Sequence, residues 1–516
     1  MMRYKSFTSR FLTAALFLLI SGCSVLPINE EPVSFGDLPQ FTETRLSREF
    51  RPLIDSYPDL SGHSLLLDSQ ESLSERLWLV GMAEKTLDVQ YFLWSSDTSG
   101  YLFMQSLLAA ADRGVQVRIL IDGFSIADRH RQLAVLESVP NVDIRVYNPF
   151  IAKTGFGRVL NLIFNFDRLN QRMHNKSLIA DHSVAIVGGR NIGDHYFGYA
   201  DDMNFYDADI TSVGPVVDDV SSSFNDYWNS PWAIPVPQFM PVQQSFNSET
   251  ALDDFMSTDF GSSIEQTFNL TDSELTARLE TLKKALIWAP TEFIADTPHG
   301  YISTNGDDQP KWVARTLSSL IESSEENITI ESAYFVMDEP ALEGLRRKVD
   351  SGVEVNVLTN SLASNNLIIN HASYAMFRDQ MLDIGLNLFE LRPEINRCHD
   401  SRCENQEKYA LHAKTAVFDY QTIYVGSMNF NLRSAYINTE SGMIVHSPEL
   451  ALQLRQNIDR KMNLGHCWQV GKLDDDIFWV GSQNGQVHIS REEPQSNWLQ
   501  RFEVDLLTKL PGTAYY

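Results

Sequence analysis

The chain is poor in cysteine and in positive charge, and it has no apolar run of bilayer length. Four cysteines in 516 residues cannot build the dense disulfide framework of a small secreted scaffold. Lysine and arginine number 41 against 67 aspartate and glutamate, a formal net charge of −26. Such a chain repels nucleic acid and anionic lipid headgroups at long range unless basic groups are concentrated in a cleft, so bulk charge argues mildly against a nuclease. The apolar stretch near the N-terminus, "FLTAALFLLI", holds about ten residues, roughly half of what a membrane-spanning helix needs. An apolar share of 43% is that of a globular protein, and the length exceeds what one core supports, so two domains are expected.

The first 22 residues have the layout of a secretory signal: Arg3, Lys5 and Arg10, then the apolar stretch, then "ISGC" ending at Cys23. "LISGC" resembles the lipobox of bacterial lipoproteins. That resemblance implies cleavage before Cys23 and acylation of its sulfur. With Ser24 behind the cysteine it also implies a lipid-anchored, periplasm-facing protein of the outer membrane. Residues 23–60, rich in Pro, Glu, Ser and Thr, read as a tether. Cys398 and Cys403 in "RCHDSRC" are near enough to pair in an oxidising compartment, leaving Cys467 free. A zinc pair is the alternative, although no second CxxC or HxxxH stands nearby.

Helix and strand periods alternate after residue 60, which indicates an α/β fold. "SLSERLWLVGMAEKT", "LDVQYFLW", "GYLFMQSLLAAADRG" and "VQVRILIDG" read as helix, strand, helix, strand. "VARTLSSLIESSEEN", "ITIESAYF", "PALEGLRRKVDSG" and "VEVNVLTN" repeat that order. One offset of 238 relates Gly114 to Gly352, His174 to His412, Lys176 to Lys414, Asp181 to Asp419, Gly188 to Gly426 and Asn191 to Asn429. The chain is therefore an internal duplication. We place a first domain at 61–232, a connecting segment at 233–309, a second domain at 310–465 and a C-terminal extension at 466–516.

The repeated unit carries the chemistry. In "RMHNKSLIAD" and "LHAKTAVFD" a histidine and a lysine two residues apart reach one face of an extended segment. The aspartate that follows falls at a turn, where its oxygens suit backbone N–H groups, so Asp181 and Asp419 read as structural. "GGRN" and "GSMN" then let the backbone approach a ligand and present the amides of Asn191 and Asn429. Two histidines, two lysines and two amides suit an anionic phosphodiester: the lysines offset its charge, one imidazole attacks phosphorus and the other protonates the leaving alkoxide. Each imidazole needs a carboxylate to fix its tautomer. Aligning "FYDADITSVGP" with "NTESGMIVHSP" sets Asp207 opposite Glu440, and within-half pairing assigns Asp207 to His174 and Glu440 to His412.

Two HxKxxxxD motifs, each followed by a small-residue turn and then an acidic residue, resemble the phospholipase D superfamily, in particular its bacterial cardiolipin synthase C-like branch, over about residues 60–516. The resemblance implies two similar α/β domains about a pseudo-two-fold axis with the active site between them, and no metal or cofactor. It implies His174 as the nucleophile forming a phosphohistidine and His412 as acid and then base. Lys176, Lys414, Asn191 and Asn429 would hold the phosphate of a membrane phospholipid, with no nucleic acid expected. A phosphodiesterase acting on nucleic acid is the rival chemistry, and an inactive envelope scaffold the rival without chemistry.

Other features stay open. His182, His195, His371 and His399 read as structural or solvent-facing, and Arg190 and Arg433 as either phosphate contacts or interface pairs. "NPFIAKTGFGRVLNLIFNF", 148–166, suits either a lip that admits acyl chains or a packed loop. Trp498, Leu499, Phe502, Leu506 and Leu510 share one side of a terminal helix, which reads as core packing, with an interfacial helix as the alternative.

Overall fold

The computed structural model describes residues 43–126, 133, 135–149, 166–239, 270–298, 309–365, 367–393, 408–483 and 485–510. The N-terminal segment read as a signal, Cys23, Cys398, Cys403 and most of 148–166 lie outside these residues.

Strands β1 (Ser61–Leu66), β2 (Thr86–Tyr91), β3 (Gln116–Asp122), β4 (Val142–Tyr147), β5 (Ser177–Ala180), β6 (Val184–Gly188), β7 (Asn204–Tyr206), β8 (Asp209–Val213), β9 (Ala233–Pro235) and β10 (Ile287–Ala289) come first. They are followed by β11 (Thr291–Ala295), β12 (Asn327–Ser332), β13 (Glu354–Asn360), β14 (Asn387–Leu391), β15 (Tyr409–Leu411), β16 (Lys414–Phe418), β17 (Thr422–Gly426), β18 (Ser441–His446), β19 (Cys467–Leu473), β20 (Asp476–Gln483) and β21 (Gln486–Ser490). One sheet runs β10-β1-β8-β6-β5-β2-β3-β4-β9 and the other β11-β18-β17-β16-β12-β13-β14-β19-β20-β21. The block β8-β6-β5-β2-β3-β4 reappears as β18-β17-β16-β12-β13-β14. Within each block the last three strands are parallel and the other pairings antiparallel. The duplication read from one numerical offset is thus a duplication of strand order.

Local chemistry explains the shared boundaries. Helices Thr98–Asp112 and Glu339–Asp350 are each capped by an aspartate, Asp97 and Asp338, whose side chain accepts a backbone N–H of the first turn. Each gives way to a glycine at positive φ, Gly114 at 90° and Gly352 at 95°, which turns the chain into β3 or β13. Asp181 and Asp419 are matched devices. Each sits in the left-handed region, at φ 52° and 51°, and each carboxylate accepts three successive backbone N–H groups. For Asp181 these are Glu84, Lys85 and Thr86; for Asp419 they are Glu325, Glu326 and Asn327. The carboxylate so ties the hairpin to the start of the strand that pairs antiparallel with it, β2 or β12.

Three large apolar clusters form the core, and the middle one contains residues of both halves. Helices Val216–Trp228 and Pro448–Met462 contribute Val217, Phe224, Leu450 and Leu454 to it. The two sheets therefore share one core instead of meeting across a wet boundary.

Several expected boundaries move. The tether expected over 23–60 ends earlier: Arg45–Ser56 is a helix with Leu46 and Phe50 buried in the first cluster. The 233–309 segment is no free connector, since β9 and β10 extend the first sheet and β11 the second. The chain passes between sheets at Pro290, between β10 and β11. The extension expected over 466–516 begins as part of the second sheet, because β19 pairs antiparallel with β14. Cys467 is free and buried. The terminal helix, Trp498–Leu507, buries only Val504, which overturns the core-packing expectation.

Replacing Asp181 by Ala strands three backbone donors at a part-buried turn, and we expect a loss of about 2–4 kcal/mol. Urea unfolding followed by circular dichroism measures it, and a loss within experimental scatter would contradict the bracing role.

Candidate active site

Two short contacts between the halves build the site. β7 and β15 form a parallel pair, Asn204 opposite Tyr409, Phe205 opposite Ala410 and Tyr206 opposite Leu411. The next residues, Asp207 and His412, are thereby brought together: His412 N–H donates to the Tyr206 carbonyl at 2.8 Å, and His412 Nδ1 lies 2.6 Å from Asp207 Oδ2. The pseudo-symmetric contact is the parallel bridge Met173–Thr439. There His174 N–H donates to the Thr439 carbonyl at 2.9 Å, and His174 Nδ1 lies 2.8 Å from Glu440 Oε2.

The carboxylates therefore cross between halves, which corrects the expected pairing of Asp207 with His174 and Glu440 with His412. Alignment of the repeats identifies equivalent residues, but equivalence within a repeat does not imply contact. Each acidic residue ends a segment that pairs with the other half, so it meets the other half's histidine. The swap also fits side-chain length. Gly189 leaves room for Asp207, because a Cβ there would overlap Asp207 Oδ1. At the equivalent place in the second half, Ser427 donates its hydroxyl to Glu440 Oε2 at 2.6 Å.

A carboxylate can only accept, so each neutral imidazole carries its hydrogen on Nδ1 and keeps a lone pair on Nε2. His174 and His412 are buried, as are Lys176, Lys414, Asp207 and Glu440. Burial is the main cause that lowers the imidazoles, His174 to about 4 and His412 to about 3. It also lowers Lys176 to about 7 and Lys414 to about 8. Burial alone would raise the carboxylates, but the facing imidazoles and lysines outweigh it, and both Asp207 and Glu440 lie below their ordinary range. With the lysines charged, the site holds two negative and two positive groups around neutral imidazoles. An arriving phosphodiester brings one further negative charge, which favours a proton on one imidazole. Lys176 Nζ donates to the His174 carbonyl at 2.5 Å, and Lys414 Nζ to the His412 carbonyl.

The two amides are not equivalent. Asn191 Oδ1 accepts from Leu93 N–H and its Nδ2 donates to the Tyr196 hydroxyl, each at 3.1 Å. Asn429 Oδ1 is buried without a hydrogen-bond partner. Arg190 is fully buried and braces the site: it pairs with Asp209 at 3.0 Å and donates to the Asp207 carbonyl at 2.6 Å. Arg433 bonds Asn170 of the other half. Asp296 accepts the Glu440 N–H at 2.9 Å. His182 lies 3.7 Å from Asp88, and His195 Nδ1 lies 2.6 Å from the Met203 carbonyl. His371 sits in a separate buried cluster, and His399 is outside the described residues.

Aromatic contacts break the symmetry. Phe92 packs edge-on against His174 at 5.0 Å, and Phe124 stacks on Phe92. Tyr196 and Phe205 pack against His412 at 5.0 and 5.5 Å. All four rings belong to the first half. By the register of the repeats, Ala333, Ser434 and Asn438 stand where Phe92, Tyr196 and Phe205 do. These rings and Ser427 were not read from the sequence. The only trace was the difference between "GGRN" and "GSMN".

The family described as cardiolipin synthase, phospholipase D-like domain, matches residues 79–228 and 317–462, more than half of the chain. The chain is 35% identical over 487 residues to cardiolipin synthase C of Escherichia coli K12, covering 90% of this chain and 98% of that protein. It is 24% identical over 410 residues to the cardiolipin synthase of Clostridium perfringens SM101, covering 79% and 72%. The crystal structure of phosphatidylserine synthase from Haemophilus influenzae Rd KW20 aligns with a TM-score of 0.55 over 90% of this chain and 97% of that one. At 13% identity that likeness establishes the fold.

Two outcomes follow from the geometry. In ¹⁵N-histidine NMR, Glu440→Gln shifts the Nδ1 resonance of His174 more than that of His412, and Asp207→Asn does the reverse; the opposite assignment would restore within-half pairing. Binding of dimethyl phosphate at pH 6.5, between the lowered imidazoles and the lysines, takes up about one proton. Calorimetry in buffers of different ionisation enthalpy reads that number, and zero uptake would mean that the bound anion does not change the charge of either imidazole.

Proposed function

Because the chain belongs to the cardiolipin synthase family of phospholipase D-like proteins, we propose that it is a membrane-tethered phosphatidyltransferase working through a phosphohistidine. The observation that carries this reading is the crossed pair of imidazole–carboxylate contacts with two buried lysines around one cleft.

His174 Nε2 attacks phosphorus of a donor phospholipid, with Glu440 on Nδ1 stabilising the imidazolium character that develops. The P–O bond to the headgroup breaks as His412 gives its proton to the departing alkoxide. An acceptor alcohol then loses its proton to His412 and attacks phosphorus, and the P–N bond breaks to restore His174. Two in-line displacements return the configuration at phosphorus to its starting hand. Lys176 and Lys414 offset the charge of both transition states, and Asn429, whose carbonyl oxygen is unmatched, accepts from an alcohol or headgroup donor. Phosphatidylglycerol as acceptor yields cardiolipin, and water yields phosphatidic acid.

The aromatic rings beside the imidazoles support a lipid substrate, and the acidic net charge disfavours a polynucleotide. An acylated Cys23 would hold the enzyme at the periplasmic side of the outer membrane, where donor and acceptor come from the facing leaflet.

Mass spectrometry after incubation with phosphatidylglycerol vesicles, with and without phosphatidylethanolamine, is expected to show cardiolipin. His174→Ala and His412→Ala should each remove activity by about a thousandfold or more. Alkaline quenching, under which P–N bonds survive, should leave label on His174. Release of nucleotides from single-stranded DNA without lipid turnover would reverse the reading.

A further inference from the structure

We propose that the outward side of helix Trp498–Leu507, with Leu510 just beyond it, is a bilayer-docking surface. This rests on the phospholipid reading of the site. Trp498 is 72% exposed, Leu499 48%, Phe502 57%, Leu506 52% and Leu510 49%. At about 100° per residue these five fall within an arc of about 120°, with Val504 on the opposite side. Val504 packs with Leu362 and Ala372 in a small separate cluster. The helix thus faces the protein with Val504 and part-buried Leu507 and turns its most apolar side to solvent, the reverse of ordinary amphipathic packing.

The helix is held firmly. Glu493, just before it, is buried with Arg378 at 2.7 Å and His371 at 3.1 Å, and Arg378 also meets Glu390 at 3.1 Å. Asn497 and Gln500 form a reciprocal capping box at its start. The apolar side is therefore presented at a fixed orientation to helix Ile368–Asp383.

Its position ties it to catalysis. Asn360, at the C-terminal end of β13, bonds both the N–H and the carbonyl of Leu411, the residue before His412. Leu362, two residues on, touches the terminal helix cluster. In the first half the matching strand end is Asp122, which accepts the N–H of Met173, the residue before His174. Two residues on, Phe124 is 56% exposed and leads through Phe92 to His174. The end of β3 thus carries an exposed aromatic, and the matching end of β13 carries a buried leucine on which the terminal helix rests.

A bilayer is the occupant these facts favour. A phospholipid must bring its phosphodiester to the imidazoles while its acyl chains stay in the membrane. The net charge of −26 provides no attraction to anionic headgroups, so contact has to come from apolar insertion. Trp and Phe among leucines, with Lys509 alongside, is the composition of an interfacial helix. Among the described residues no helix is long and apolar enough to cross a membrane.

The test uses the processed chain from residue 23 carrying Cys23→Ser, so that no acyl anchor contributes. Sedimentation with vesicles of phosphatidylglycerol and phosphatidylethanolamine compares it with Trp498→Ser/Phe502→Ser. We expect the pair to weaken partitioning by about a hundredfold, with parent binding undiminished as salt rises from about 0.05 to 0.5 M. Turnover of vesicle lipid should fall in parallel, while turnover of a short-chain, monomeric phospholipid stays within about twofold. Equal vesicle binding by parent and variant would overturn the proposal, as would a dimer of the parent that the substitutions dissociate without loss of vesicle binding. Loss of vesicle binding by the variant, with no lipid turnover by the parent, would leave docking intact and sink the catalytic reading instead.

Discussion

Neither His174 nor His412 meets its carboxylate within its own half of the chain. His174 depends on Glu440 and His412 on Asp207, and each contact exists because a short backbone ladder joins the halves just upstream of it. The central apolar cluster has to bring the two sheets to a fixed spacing, since a relative shift of about 1 Å would stretch a hydrogen bond in each pair. Most of the supporting structure serves that alignment: Arg190 clamps the Asp207 carbonyl, Asp296 clamps the Glu440 amide, and Arg433 reaches Asn170 across the boundary.

Charge balance is the second constraint. Six ionisable side chains share a dry volume in which isolated charges are costly. Two carboxylates and two ammonium groups offset one another, and the imidazoles stay neutral because burial disfavours a fifth charge. A ligand anion changes that balance. On the proposed mechanism, substrate arrival itself assists protonation of the acid.

Much of the architecture was legible in the sequence because duplication repeats local physics. Gly114 and Gly352 occupy the same left-handed turn, and Asp181 and Asp419 the same three-donor brace, so an offset in numbering was an offset in structure. The choice of histidines, lysines and acidic residues needed only that repetition. Who pairs with whom was illegible: the ladder between β7 and β15 links residues about two hundred positions apart, and no periodicity in either segment announces it. The terminal helix was misread for a related reason. A 3.6-residue pattern fixes which residues share a side but not whether that side meets protein, and only the position of Val504 decides it.

The four rings around the imidazoles all come from the first half. A perfectly twofold cleft would accept a diester equally well turned end for end, so either imidazole could serve as the nucleophile. Aromatic bulk on one side and Ala333, Ser434 and Asn438 on the other remove that degeneracy. Divergence after duplication thereby gave a palindromic framework a reading direction.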